Sequence, residues 1–254
     1  MCLNLLSLDL IIINVNFIYF NVIYLCMDSK ALFLILALTV LAAPYVLAVT
    51  PGGATIQYSV TSGPYPAPSP GNVPVWAGNI SLVNVTTEQS TYHWAGVYGN
   101  ATGTLVLGDS GSNKMYEWSA KANYVFFDDE STINWDNLDT ATCSDVETSF
   151  NFLSGASDDC DSTLTTTHDP SFKAITDIGA TVAGQTYDSS GSGYWWTLAI
   201  KDNTAGDVIF VGEVDNNYHS AYNGDTVNYQ VILPENGEGG NTTATTYYIW
   251  IELY

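Results

Sequence analysis

Three groups of residues in this chain have side chains suited to chemistry. The first is Gly108-Asp109-Ser110-Gly111-Ser112, with His93 upstream. A serine, an aspartate and a histidine are the raw material of a nucleophilic triad. Only sixteen residues separate His93 from Ser110, whereas triad folds set these groups on well-separated parts of a scaffold. The loop therefore reads as a hairpin turn rich in Gly, Asp and Ser. The second group is acidic: Asp128-Asp129-Glu130, Asp136 with Asp139, and Asp158, Asp159 and Asp161. Calcium takes several oxygen ligands from neighbouring loops. Asp158, Asp159 and Asp161 are the expected calcium ligands if a cation binds, with Cys160 stiffening the loop; a solvated acidic loop is the alternative. The third group is Tyr194-Trp195-Trp196, after the Gly/Ser run 189–193. In a strand Trp195 and Trp196 point to opposite faces. One is expected in the core, and the other, with Tyr194, is a candidate platform for a sugar ring; the alternative packs both rings. No Cys-x-x-Cys-His, His-Glu-x-x-His or phosphate loop occurs. No spacing singles out a pair of carboxylates for glycoside hydrolysis. The chain is expected to bind rather than catalyse.

The elements that must position these groups are mainly strands. Alternating or continuous apolar stretches occur at 54–60, 76–86, 92–98, 104–107, 115–118, 124–127, 194–200, 208–214, 227–233 and 245–253. Gly/Asn/Asp turns separate many of them. This pattern predicts a mainly β protein, an antiparallel β-sandwich of jelly-roll type. One segment departs from it. Leu138, Ala141, Val146, Phe150 and Leu153 recur at helical spacing, Ser144-x-x-Glu147 has the form of a capping box, and Gly155 follows. One short inserted helix is expected within 138–154. The C-terminal run 247–254 is apolar on both faces and suggests a central strand.

Four segments organise the chain. Residues 27–48 read as a signal peptide, with Lys30 ahead of the apolar run 31–41 and Val46-Leu47-Ala48 at the cleavage site. An uncleaved anchor over 31–49 and a pilin-type signal cut near Lys30 are the alternatives. Residues 1–26 are rich in Leu, Ile, Asn and Phe and lack Lys, as translated upstream DNA would, so Met27 is the expected start. A first membrane span over 3–25 is disfavoured by Asp9, Asn14, Asn16 and Asn21. Residues 49–75 combine a strand signal, in which Ile56, Tyr58 and Val60 alternate, with the Pro-rich stretch 64–74. Proline fixes φ and removes amide donors, so this stretch is a stiff linker. Residues 76–254 form the sandwich domain.

Composition agrees with export. Five lysines, no arginine and 26 acids give a net charge of −21. Such a chain lacks the clustered cations that phosphate backbones and anionic membranes require. Charged residues are only 12 % of the chain, about half the usual share. After signal removal only Cys143 and Cys160 remain, and one disulfide is expected between them. Sequons at Asn79, Asn84, Asn100 and Asn241 are candidate glycan sites.

The segments 90–100 (Ser-Thr-Tyr-His-Trp-Ala-Gly-Val-Tyr-Gly-Asn), 103–110, Phe150-Asn151-Phe152, 225–234 and 246–253 carry a family likeness. Over most of the chain after Pro74 it resembles a family of secreted, largely uncharacterised archaeal cell-surface β-rich proteins. The resemblance implies an exported surface protein and hands over no catalytic residue. Together these features predict a surface structural or adhesive protein. It would associate with itself or with other surface proteins, with strand 56–60 donated to a neighbour's sheet. Pairing of that strand within its own sheet is the alternative. A carbohydrate-binding module stabilised by calcium is the second function to test.

Overall fold

The computed structural model describes residues 50–57, 59–152, 155–235 and 244–254. The expected upstream segment 1–26, the signal peptide 27–48, Tyr58 of the expected donor strand, Leu153 and the sequon Asn241 lie outside the described residues.

In chain order the elements are β1 (Gly52–Gly53), β2 (Trp94–Gly99), β3 (Gly103–Gly108), β4 (Lys114–Ala120), β5 (Ala122–Asp128) and β6 (Leu138–Thr140). Helices α1 (Cys143–Phe150) and α2 (Cys160–Thr163) follow. The chain continues with β7 (Thr166–His168), β8 (Thr181–Tyr187), β9 (Gly193–Asp202), β10 (Val208–Glu213), β11 (His219–Ser220), β12 (Thr226–Val227), β13 (Tyr229–Pro234) and β14 (Tyr248–Leu253). The fold is mainly β. An antiparallel sheet runs β1-β14-β5-β10-β9-β8-β7, with β6 pairing β9. Separate ladders join β13 to β2, β3 to β4 and β11 to β12. The arrangement is sandwich-like, not a closed barrel.

The sheet's centre is covered on both faces, which is why β5, β9 and β10 read as long apolar runs. On one face Val125, Phe127, Ala199, Val208 and Phe210 pack with Val146 and Phe150 of α1 and with Val231 and Leu233 of β13. On the other, Tyr124, Phe126, Leu198, Ile200, Ile209 and Val211 pack under Ile133, Trp135, Phe172 and Ile175 from connecting segments. Burying each such large side chain contributes about 1.5–3 kcal/mol. Glu252, fully buried, clamps one of those segments: it accepts from the Lys173 and Ala174 amides at 2.7 and 2.8 Å and from Asn123 Nδ2 at 2.7 Å.

Several expectations need correction. The helix starts at Cys143, and its capping box is Thr142 with Asp145, not Ser144 with Glu147. Thr142 has extended dihedrals and Asp145 returns a bond to its amide at 2.9 Å, so the box sits two residues earlier. Asn151, at φ 51°, ends the helix in place of Gly155. A second helix, α2, accompanies it. The run 76–86 forms no strand: among the described residues no strand lies beside it, and apolar alternation needs a hydrogen-bonding neighbour. Ahead of the expected donor strand, Gly52 and Gly53 ladder with β14, and the Ala54 amide donates to Ile249 O at 2.8 Å. Ile56 and Val60 are exposed and outside any strand. The last strand, β14, is only half-buried over most of its length, since just two residues of β1 cover its outer side. Six further strands, β1, β6, β7, β8, β11 and β12, are present among the described residues. Among the described residues no helix is long and apolar enough to cross a membrane.

Candidate functional site

The disulfide forms as expected. Cys143 opens α1, Cys160 opens α2, and the bridge closes a separation of 17 residues with both cysteines buried. It suits an oxidising, non-cytoplasmic compartment.

His93 and Ser110 do not meet as a triad. Ser110 lies in the β3–β4 turn, where Asp109 Oδ1 accepts from the Gly111 and Asn113 amides, both at 2.9 Å. His93 is buried before β2, stacks on Phe152 and places Nδ1 2.8 Å from Asp158 Oδ1. Trp94 Nε1 donates to Asp158 O at 2.7 Å, and Thr91 donates to its other carboxylate oxygen. Burial works against the charge on Asp158, yet the bonds from Thr91 and His93 hold its carboxyl below the ordinary range.

The expected calcium ligands are thereby occupied elsewhere. Asp158 braces β2, Asp159 caps α2 by accepting the Ser162 amide at 2.8 Å, and Asp161 is exposed in the first turn of α2. The three carboxylates do not converge, because a helix start turns alternate side chains apart. Among the described residues no group of three His, Cys, Asp or Glu side chains is placed to hold a metal.

The aromatic triplet lies on β9, and the two tryptophans divide as the strand period requires. Trp195 is buried with Ala221 and Val227, and its Nε1 donates to Ser220 O at 3.0 Å. It is a core residue, which corrects its expected place in a sugar platform. Tyr194 and Trp196 line a cleft of about 500 Å³ with Gln185, Glu213, Asp215 and Asn217. Cross-strand register builds the cleft: Gln185 of β8 stands opposite Trp196, and Glu213 ends β10. Each ring is backed by a histidine that also meets an acid. His168 stacks on Trp196 at 4.4 Å and approaches Glu213 at 3.5 Å. His219 stacks on Tyr194 at 3.7 Å and approaches Asp188 at 3.0 Å. Tyr194 OH donates to Asp215 at 2.5 Å, and that bond leads the effects that push the phenol up to about 12. Bonds from Ser190 and His219 hold Asp188 well below the carboxylate range. A rigid aromatic wall beside neutral amides and carboxylate acceptors can hold a polyhydroxylated ligand. Glu213 and Asp215 escaped the sequence reading, although their Glu-x-Asp spacing at a strand end puts both on one face.

A second surface comes from the other end of the chain. Residues 59–89 are exposed throughout, and between 54 and 92 none of the described residues joins a strand. Ile80 is 101 % exposed, Leu82 90 % and Val85 89 %, the values of an extended chain that touches nothing. Tyr65 OH donates to Glu88 at 2.6 Å and Ser90 Oγ to Tyr65 O at 3.0 Å, which ties off the base of this excursion. The sequons Asn79, Asn84 and Asn100 are exposed. Beyond it, β3 and β4 form an isolated ladder that exposes Val106, Leu107, Met115, Tyr116 and Trp118.

Charge is segregated in the same way. No charged side chain occurs between residues 31 and 87. In 89–123 two acids, Asp109 and Glu117, cancel two lysines, Lys114 and Lys121. Residues 124–254 hold 21 acids against two lysines. The exposed apolar surface thus lies in the part of an acidic protein that carries little net charge. No protein-family model, curated protein or solved structure matches the chain.

Proposed function

We propose that this protein is an exported, extracellular surface subunit that builds a structural or adhesive assembly by donating a strand to a neighbouring copy. One observation carries the reading: a stretch with the apolar alternation of a strand and no charged side chain stands fully exposed, with Ile80, Leu82 and Val85 in solvent. A monomer leaving such a stretch bare invites pairing with another chain. The disulfide, the signal-like segment 27–48 and the resemblance to archaeal surface proteins support an extracellular place. Main-chain bonds supply affinity in such additions and alternate side chains supply register. The test is sedimentation velocity and electron microscopy of the exported protein over a wide concentration range. Concentration-dependent oligomers or filaments are expected; a monomer from micromolar to millimolar overturns the proposal.

The Tyr194–Trp196 cleft favours a second activity on the same surface protein, glycan binding. Calorimetry against neutral oligosaccharides tests it. Saturable heat that Tyr194→Ala abolishes while the variant still unfolds cooperatively is expected, and no heat with any glycan removes this reading.

A further inference from the structure

We propose that residues 79–86 of one copy add as a strand to the free edge of β4 in a second copy, so that the β3–β4 hairpin is the acceptor. The inference rests on the strand-donation reading above and names both halves of its interface.

The acceptor has the properties of an unfinished sheet. Among the described residues β4 pairs only with β3, and every residue from Lys114 to Ser119 is exposed. Two-stranded ladders are marginal alone and gain stability from a third strand over a hydrophobic face. That face exists here. Leu105 pairs with Trp118 and Leu107 with Tyr116, and the Tyr116 and Trp118 rings meet at 4.8 Å. Tyr116 is 58 % and Trp118 49 % exposed.

The donor matches in length and spacing. Asn79-Ile80-Ser81-Leu82-Val83-Asn84-Val85-Thr86 is eight residues against seven in β4. Ile80 and Leu82 lie two apart, as Tyr116 and Trp118 do, so both pairs can share one face across a ladder. Electrostatics selects the same pairing. Two copies of a chain with net charge −21 repel wherever their acidic parts face each other. Donor and hairpin are the segments that approach without that cost.

Donor and acceptor are different surfaces, and both stand unsatisfied in one molecule. Such a head-to-tail contact does not close on itself unless its rotation happens to form a ring, so it propagates into a filament. Because the donor has no charged side chain and the hairpin's few charges nearly cancel, added salt screens mainly the repulsion between acidic parts. Association is therefore expected to strengthen with ionic strength.

The experiment is complementation. A donor variant, Ile80→Asp with Leu82→Asp, and an acceptor variant, Tyr116→Asp, are each expected to lose polymerisation. Each dissociation constant should rise by about tenfold or more. Mixed together, each supplies the half the other lacks, and the mixture is expected to give a heterodimer and nothing larger. As a second readout that leaves the hairpin's aromatic pair intact, a Val83→Cys chain is mixed with a Met115→Cys chain, both positions on the face opposite that pair, and treated with a short bismaleimide. An inter-chain cross-link is expected. Wild-type filaments with no heterodimer and no cross-link overturn the acceptor while the strand-donation reading survives. Cross-linking only within a single doubly substituted chain overturns the second-copy arrangement. A wild-type chain that stays monomeric overturns the reading and the inference together.

Discussion

Asp128 offers a quantitative test of the packing. It ends β5, is 1 % exposed, and accepts the Glu130 amide at 3.2 Å through Oδ1. Its Oδ2 is buried without a hydrogen-bond partner. Burial first, and the neighbouring Asp129 and Asp207 charges after it, push the carboxyl from 3.8 up to about 7, against the Glu130 amide bond that lowers it. Between those two values the folded protein keeps a proton that the unfolded chain has lost. Stability must therefore fall as pH rises from about 4 to about 7 and level off above, the reverse of a salt-bridged acid. At 1.36 kcal/mol per unit, the span is worth on the order of 4 kcal/mol as an upper bound. Asp128→Asn preserves shape and removes the titration. Urea unfolding of both proteins at about pH 4.5 and about pH 8 isolates the residue with its coupling to Asp129 and Asp207, because groups that do not sense Asp128 cancel in the difference. The variant is expected to gain a few kcal/mol on wild type across that interval. Parallel stability profiles would refute the reasoning.

Other consequences follow from single contacts. Reducing the Cys143–Cys160 bridge, which spans 17 residues, is expected to cost about 3 kcal/mol in denaturant unfolding; unchanged stability in reductant would count against it. Trp195→Ala removes a buried ring and should cost about 3–5 kcal/mol. Tyr194→Ala gives up the Asp215 hydrogen bond and the His219 stack at a partly covered position and should cost less, about 1–2 kcal/mol. Asp145→Ala deletes the return bond of the capping box and the 2.7 Å ion pair with Lys201, at a cost of about 1 kcal/mol. The bonds from Lys201 and Thr142 hold that carboxyl below its ordinary 3.8, so this stabilisation is present above about pH 4 and fades as pH falls below it. Gly184→Ala sets a Cβ 2.5 Å from the Thr163 carbonyl oxygen and should destabilise by about 1–3 kcal/mol, read as a lower urea midpoint.

Much of this was written locally. The apolar runs of β5, β9 and β10 announce buried strands because both of their faces meet core. The split between Trp195 and Trp196 follows from the two-residue period of a strand, and the cysteine pair follows from there being only two beyond residue 48. The helix was legible from its spacing, but its start was not, since Thr142 and Asp145 make as good a box as Ser144 and Glu147 until Lys201 arrives from β9 to hold Asp145. Strand β8 stayed hidden because Gly184 weakens its signal, and that glycine is required only by the carbonyl of α2 pressing against it.

Other features exist only once distant segments meet. Residues 76–86 and 94–99 have similar strand signals, yet only the second becomes a strand, because β13 lies beside it to take its hydrogen bonds. Glu252 reads as a surface acid at an apolar terminus and is instead the buried clamp of residues 173–174. Tyr194, Trp196, Glu213 and Asp215 become one cleft through strand register alone. Apolar period, chain charge and cysteine count are properties of the sequence itself, so they determine which segments form strands when given a neighbour. Which neighbour is present, and so which polar group is buried or which strand is left bare, depends on contacts far apart in the chain, and tertiary structure alone decides it.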